Sequence, residues 1–155
     1  MFSFCIPTEF VFGSGSFKKL YQYRMPGKKA LIVTTNGGSV KRLGYLNELE
    51  KQLEKSDVSF EVFDGIEPNP ITDNIMAAAA KAKETNCDFV IGFGGGSPMD
   101  SAKLIALAAT NPGNIWDYCQ KGTGGRKQPE NTPLPVVCIS TTAGTGSEAD
   151  NSGMV

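Results

Sequence analysis

Histidine is absent from the 155 residues of this chain. That excludes Ser-His-Asp and Cys-His catalysis within it, along with any metal site built on imidazole. A carboxylate-only site stays open on chemical grounds, but no acidic cluster in the sequence supports one. Cysteine is sparse. Cys5, Cys87, Cys119 and Cys138 form no Cys-x-x-Cys pair and fit neither a zinc site nor a dense disulfide scaffold, so they read as free, mostly buried thiols. Charge of one sign is also lacking: the net charge is −1, which gives no bulk attraction to nucleic acid or to an anionic membrane. No apolar run reaches membrane-spanning length. Residues 1–7 lack the basic region and long apolar stretch of a signal peptide. The expectation is a cytoplasmic protein with neither nucleic acid nor membrane as partner.

What is present is ordinary for a globular protein, with 40% hydrophobic and 20% charged residues, and the length suffices for one domain with a real core. Apolar runs alternate with helical patterns. Phe2–Ile6 and Phe10–Gly13 read as a short hairpin around Pro7–Glu9, and Ser16–Tyr23 as a short helix. Ala30–Thr34, Val58–Phe63, Phe89–Ile91 and Pro135–Ile139 read as strands. Between them, Ser39–Lys55 carries Val40, Leu43, Leu46, Leu49 and Leu53 at helical spacing. Thr72–Glu84 and Pro98–Ala109 read as helices rich in small residues, and residues 120–133 as a polar, turn-rich loop. The apolar strands are continuous rather than alternating, which predicts burial on both faces. Strands separated by helices imply βαβ crossovers, and hence an α/β fold with a Rossmann-like parallel sheet flanked by helices. The chain stops at Val155 soon after a glycine-rich loop and reads as a domain cut off at its C-terminus.

The most informative stretch joins a predicted strand to a predicted helix: Phe89–Ile91, then Gly92 and Phe93, then Gly94-Gly95-Gly96-Ser97-Pro98. Adjacent glycines are entropically costly. Ligands of open parallel sheets sit beyond the C-terminal strand ends, where this loop falls. Ser97 reads as the helix N-cap, Pro98 as the first helical residue and Asp100 as the acidic member of a capping box. Free amides there, with the helix dipole, suit a phosphate or pyrophosphate. The loop is neither a Rossmann Gly-x-Gly-x-x-Gly nor a Walker loop. The competing reading is a tight turn needing glycine for packing alone, which three glycines in a row fit poorly.

Thr141-Thr142-Ala143-Gly144-Thr145-Gly146-Ser147-Glu148 also follows an apolar strand. Its hydroxyls could donate to phosphate or ribose; taken alone it reads rather as a flexed loop capping the next element. Beside the first loop it would complete one crevice. A third turn, Asn36-Gly37-Gly38-Ser39, precedes Lys41 and Arg42 and contains no carboxylate. Nicotinamide enzymes commonly place an acid at the ribose 2′-hydroxyl. Two glycines, a serine as helix cap and nearby cations suit a 2′-phosphate instead, or are solvated basic residues on a helix's first turns. Gly13-Ser14-Gly15-Ser16 reads as a turn into a surface helix.

Together these blocks resemble the iron-containing (group III) alcohol dehydrogenase family. The matching segments are Phe12–Gly15, Gly37–Lys41, Gly65–Pro70, Gly94–Lys103 and Thr141–Glu148, in family order over almost the whole chain. The Asn-Gly-Gly-Ser and Ile-Glu-Pro-Asn-Pro blocks are similar to the NADPH-preferring, butanol-dehydrogenase-like branch. The resemblance implies that residues 1–155 are a dinucleotide-binding domain, which the family follows with a mostly helical, metal-binding domain absent here. Carried over by position, Gly94, Gly95, Gly96 and Ser97 would surround the pyrophosphate, with Asp100 toward the nicotinamide. Thr141, Thr142 and Thr145 would contact phosphate and nicotinamide ribose. Gly37, Gly38, Ser39 and Lys41 would surround the adenosine ribose or its phosphate.

The implied cofactor is NADP or NAD, with Fe2+ or Zn2+ in the full-length enzyme only. The family's metal ligands, one Asp and three His, fall beyond the position of Val155. The implied activity is interconversion of small primary alcohols and aldehydes by a homo-oligomeric full-length enzyme, with this stretch inactive alone. A glycerol or glycerol-phosphate dehydrogenase, a dehydroquinate synthase, or a free-standing nucleotide-binding regulatory module are the alternatives.

Overall fold

A computed structural model describes residues 8–155. Four strands form the sheet: β1 (Lys29–Thr35), β2 (Ser59–Ile66), β3 (Phe89–Gly94) and β4 (Val136–Ser140). All neighbours run parallel, in the order β2-β1-β3-β4. The helices between them are α1 (Ser39–Arg42), α2 (Tyr45–Lys55), α3 (Thr72–Glu84) and α4 (Gly96–Thr110). Two 3-10 turns, Ser16–Gln22 and Ile115–Tyr118, complete the described elements.

The connection from β1 to β2 steps one way along the sheet, and those from β2 to β3 and β3 to β4 step the other way. Crossovers of one hand that reverse direction place their helices on opposite faces. Accordingly, Ala30 and Ile32 of β1 and Phe89, Ile91 and Phe93 of β3 pack against Leu46, Leu49 and Leu53 of α2. Leu31, Val33 and Val90 face the other way, toward Ile75, Ala78 and Ala79 of α3 and Ala102, Ile105 and Ala106 of α4. Period-two strands with every position apolar thus supply both faces at once. Leu49 and Leu53 are fully buried, each contributing about 1.5–3 kcal/mol by area. The alanines of α3 and α4 leave little side chain between the two helices, which lie in contact.

Three expectations differ from the structure. The run 39–55 is not one helix: it breaks at Leu43-Gly44, where Gly44 has φ 75° and Leu43 stays 65% exposed. The apolar spacing cannot register that a left-handed glycine ends one helix and begins the next. Phe10–Gly13 forms no strand; Phe12 is fully exposed, and no described strand pairs with it. The first strand of that expected hairpin, Phe2–Ile6, and Pro7 lie outside the described residues. Finally, α4 begins at Gly96 with Gly95 in the cap position, so Ser97 is not the cap, Pro98 is not the first helical residue, and no capping box forms through Asp100.

Candidate functional site

The strand order reverses between β1 and β3, which makes the space beyond their C-terminal ends the switch point at which open α/β sheets bind ligands. Three loops meet that end of the sheet: Asn36–Gly38 after β1, Gly95 after β3, and 141–147 after β4. Backbone bonds fix their starts. Asn36 donates to the Ile66 carbonyl (2.9 Å) and Thr141 to the Gly94 carbonyl (2.8 Å).

The second loop lies over the start of α4. A β-carbon at Gly96 would stand 2.8 Å from Thr145 Cγ2, and one at Gly95 would stand 3.8 Å from Thr142 Oγ1. The hydroxyl-rich loop and the glycine loop therefore lie against each other at this end of the sheet. The glycines divide by cause. Gly94 has φ 144° and a β-carbon there would strike Pro98 Cγ at 2.8 Å; Gly96 is kept bare by Thr145. Packing explains both, so the expectation that packing accounts poorly for three glycines is corrected. Gly95 alone has room for a methyl group within the protein.

No side chain caps α4, and the leading amides of a helix have no intrahelical acceptor. Ser97 is half-buried at its second position, and Thr141, Thr142 and Thr145 are exposed. The Thr145 hydroxyl also accepts the Ser147 amide (3.3 Å). Two polar atoms near the crevice are buried without a protein partner: Thr34 Oγ1, next to last in β1, and Glu148 Oε2, after the second loop. Uncapped amides and the vacant β position of Gly95 fit the phosphates of a ligand such as a dinucleotide, while the orphaned Glu148 oxygen could accept only from a donor such as a hydroxyl.

Asp100 is not directed to the helix start. Its carboxylate accepts from Lys103 Nζ (3.5 Å) and from the Met154 amide (3.4 Å). Lys103, only 12% exposed, also donates to Asp150 (2.5 Å) and to the Ser152 carbonyl (2.7 Å). This lysine holds the Asp150 carboxyl below the usual carboxylate range. With three acceptors around it, Lys103 ties residues 150–154 across α4 and has no donor capacity left for a phosphate.

At the other end of the crevice, α1 starts at Ser39 with Gly38 in the cap position and no side-chain cap bond; Ser39 is the first helical residue rather than the cap. The Arg42 guanidinium donates to the Gly37 carbonyl (2.6 Å). Lys41 does not stand free: its ammonium pairs with Asp64 of β2. Asp64, Lys103 and Asp150 were not singled out by sequence reasoning as site residues, whereas Arg42 was read beside Lys41 as a cation for a 2′-phosphate. Lys103 fell inside a matched block, but Asp64 lies in a strand whose reading stopped at Phe63, so its place at the strand end was not visible.

Among the described residues no group of three or more His, Cys, Asp or Glu side chains converges as a metal would require. The described residues offer no donor set that fits iron or zinc. No helix of the described residues is long and apolar enough to cross a membrane. A surface depression of about 580 Å³, lined by Tyr21, Arg24, Lys28, Ser56 and Val58, lies at the opposite end of the sheet, where β1 and β2 begin. None of the three loops contributes to it.

Comparison with known proteins agrees with this geometry. The family model for iron-containing alcohol dehydrogenases matches residues 7–155. Alcohol dehydrogenase 4 of Saccharomyces cerevisiae is 40% identical over 147 residues, covering 94% of this chain and 37% of its own length. The NADPH-dependent aldehyde reductase YqhD of Escherichia coli is 37% identical, covering 99% of this chain and 38% of its own. The crystal structure of NADH-dependent butanol dehydrogenase A from Thermotoga maritima superposes with a TM-score of 0.86 at 33% identity, covering 96% of this chain and 36% of that one. The chain thus spans under two-fifths of the length of the relatives it matches. Switch-point loops, sheet order and sequence agree on one assignment: this chain belongs to the iron-containing alcohol dehydrogenase family.

Proposed function

We propose that this chain is the nucleotide-binding part of an NAD(P)-dependent oxidoreductase that interconverts small alcohols and aldehydes. The observation that carries the reading is the seating of Thr142 and Thr145 over Gly95 and Gly96 at the uncapped start of α4. The leading amides of α4 would grip the pyrophosphate, since they have no other acceptor and their dipole favours negative charge. Gly94, Gly95, Gly96 and Ser97 would bring main chain close to it, and Thr141, Thr142 and Thr145 would donate hydroxyls to phosphate and nicotinamide ribose. Asp100 would border the nicotinamide side, fixed there by Lys103. Gly37, Gly38, Ser39, Lys41 and Arg42 would enclose the adenosine ribose or its 2′-phosphate.

When bound, the nicotinamide would give a hydride to the carbonyl carbon of an aldehyde or take one from the carbinol carbon of an alcohol. The residues described here would bind and orient it. The relatives' names support both NADPH and NADH as cofactor. The balanced charge and the absence of a spanning helix among the described residues support a cytoplasmic setting.

Titrating the purified protein with NADH and NADPH, followed by nicotinamide fluorescence, tests this. Saturable binding that Gly95→Val abolishes is expected. Binding unaffected by Gly95→Val, or no binding of either nucleotide, would refute it.

A further inference from the structure

The turn after β1 contains no acid, yet the fold supplies one from elsewhere. Asp64, near the C-terminal end of β2, pairs with Lys41, 23 residues earlier on α1. The two strands involved are neighbours: Val33 pairs with Phe63, and Thr35 pairs with Ile66 across an irregularity in the register. That irregularity occurs where Asp64 and Gly65 fall, at the same end of the sheet as the Asn36–Gly38 turn. Among the described residues Lys41 is thus the cation of this turn that pairs with a carboxylate, whereas Arg42 donates to the Gly37 carbonyl. The Lys41 ammonium keeps the Asp64 carboxyl below the usual carboxylate range, so that carboxylate is charged at neutral pH.

A 2′-phosphate presented to this turn would meet two penalties. It would compete with Asp64 for Lys41, and it would approach the Asp64 charge. A ribose with a free 2′-hydroxyl meets neither penalty, and its hydroxyl can donate to a carboxylate but not to an ammonium. We propose that Asp64 is a positioning residue that restrains cofactor preference by engaging Lys41, so that the site takes NADH and NADPH with little discrimination. This rests on the nucleotide-binding reading above. Both side chains are about half exposed, 44% for Lys41 and 55% for Asp64, so the effect is a modest one in salt.

The test is a comparison of dissociation constants for NADPH and NADH in the purified protein and in the Asp64→Asn, Lys41→Met and double variants. Asp64→Asn should tighten NADPH about twofold to fivefold relative to NADH, the scale of an exposed charge pair. Lys41→Met should weaken NADPH and leave NADH nearly unchanged. In the Lys41→Met background, Asp64→Asn should lose most of its effect, because Asp64 acts through Lys41. Melting temperatures identify any variant that loses its fold, and Asp64→Ser then replaces Asp64→Asn. If no variant binds either nucleotide, the nucleotide-binding reading falls and this inference with it. If both nucleotides bind but their ratio ignores Asp64→Asn, or if the change persists in full in the Lys41→Met background, only the role of Asp64 is overturned.

Discussion

Thr145 closes on Gly96 so tightly that a β-carbon at residue 96 would stand 2.8 Å from its methyl group, whereas Gly95, one residue earlier, leaves 3.8 Å to Thr142. Adjacent glycines in one loop thus answer to different constraints. Gly96→Ala should destabilise by about 1–3 kcal/mol, the usual cost of overpacking, and Thr145→Ser, which removes the offending methyl group, should recover part of it. Gly95→Ala should stay within about 0.5 kcal/mol of the parent while weakening nucleotide binding, because its methyl group would occupy ligand space rather than protein. Chemical denaturation and nucleotide titration on the same samples separate the two. Equal loss of stability in both variants would make Gly95 a packing glycine as well.

The ion pairs predict an acid dependence. Lys103 lowers the Asp150 carboxyl and Lys41 lowers that of Asp64. With folded-state values depressed, the unfolded chain binds more protons as the pH falls. The stabilisation is complete above about pH 4, the ordinary carboxylate value, and is lost as the pH falls through the depressed folded values. Asp150 and Asp64 are each at least half exposed, so each contribution is under about 1 kcal/mol. Denaturant midpoints measured from pH 7 to pH 3 should fall less steeply in Asp150→Asn and Asp64→Asn than in the parent. Identical slopes would remove the assigned pairs.

The central strands β1 and β3 were legible because a strand buried on both faces needs every position apolar, whereas the edge strands β2, interrupted by Ser59 and Glu61, and β4 are only partly buried and depart from the expected two-sided burial. Leu31 and Ile32 face opposite helices and are equally buried. Thr72–Glu84 was legible to the residue, since the stiff Glu67–Pro70 segment precedes it and a run of helix formers fills it. What the sequence could not display is long-range. Ser97-Pro98 carries a strong helix-start signal, but the strand runs to Gly94 and the helix begins at Gly96, because the positive φ of Gly94 turns the chain early. Asp64 and Lys41 meet only once β2 lies beside β1, and no local spacing encodes that contact. Thr145 explains Gly96 in the same way, from 49 residues downstream.

Thiol reactivity reports on the same packing. Burial raises the Cys87 thiol, with the Thr85 hydroxyl opposing it in part, and burial likewise raises Cys138 on β4. The thiolate is the nucleophile. Alkylation by iodoacetamide at pH 7 should therefore be slower at both than at a free cysteine, and denaturant should remove the difference. Peptide mapping by mass spectrometry reads each site separately. Modification of Cys138 at the free-thiol rate in the native protein would mean that β4 opens readily.

Ser39 offers a direct handle on the ribose end of the crevice. It is exposed, starts α1, and its carbonyl accepts the Leu43 amide while its hydroxyl makes no cap bond. Ser39→Asp therefore breaks no hydrogen bond and buries no charge, so stability should be unchanged. A carboxylate at this position would repel a 2′-phosphate and accept from ribose hydroxyls, as acids do in NAD-selective folds. It would also stand near Lys41 and Arg42 and reduce the cationic character of the turn. NADPH affinity should drop by about tenfold relative to NADH, equivalent to ~1.4 kcal/mol. An unchanged ratio in a folded Ser39→Asp variant would place the adenosine ribose away from the β1 turn and leave Lys41 and Arg42 as solvated surface charges.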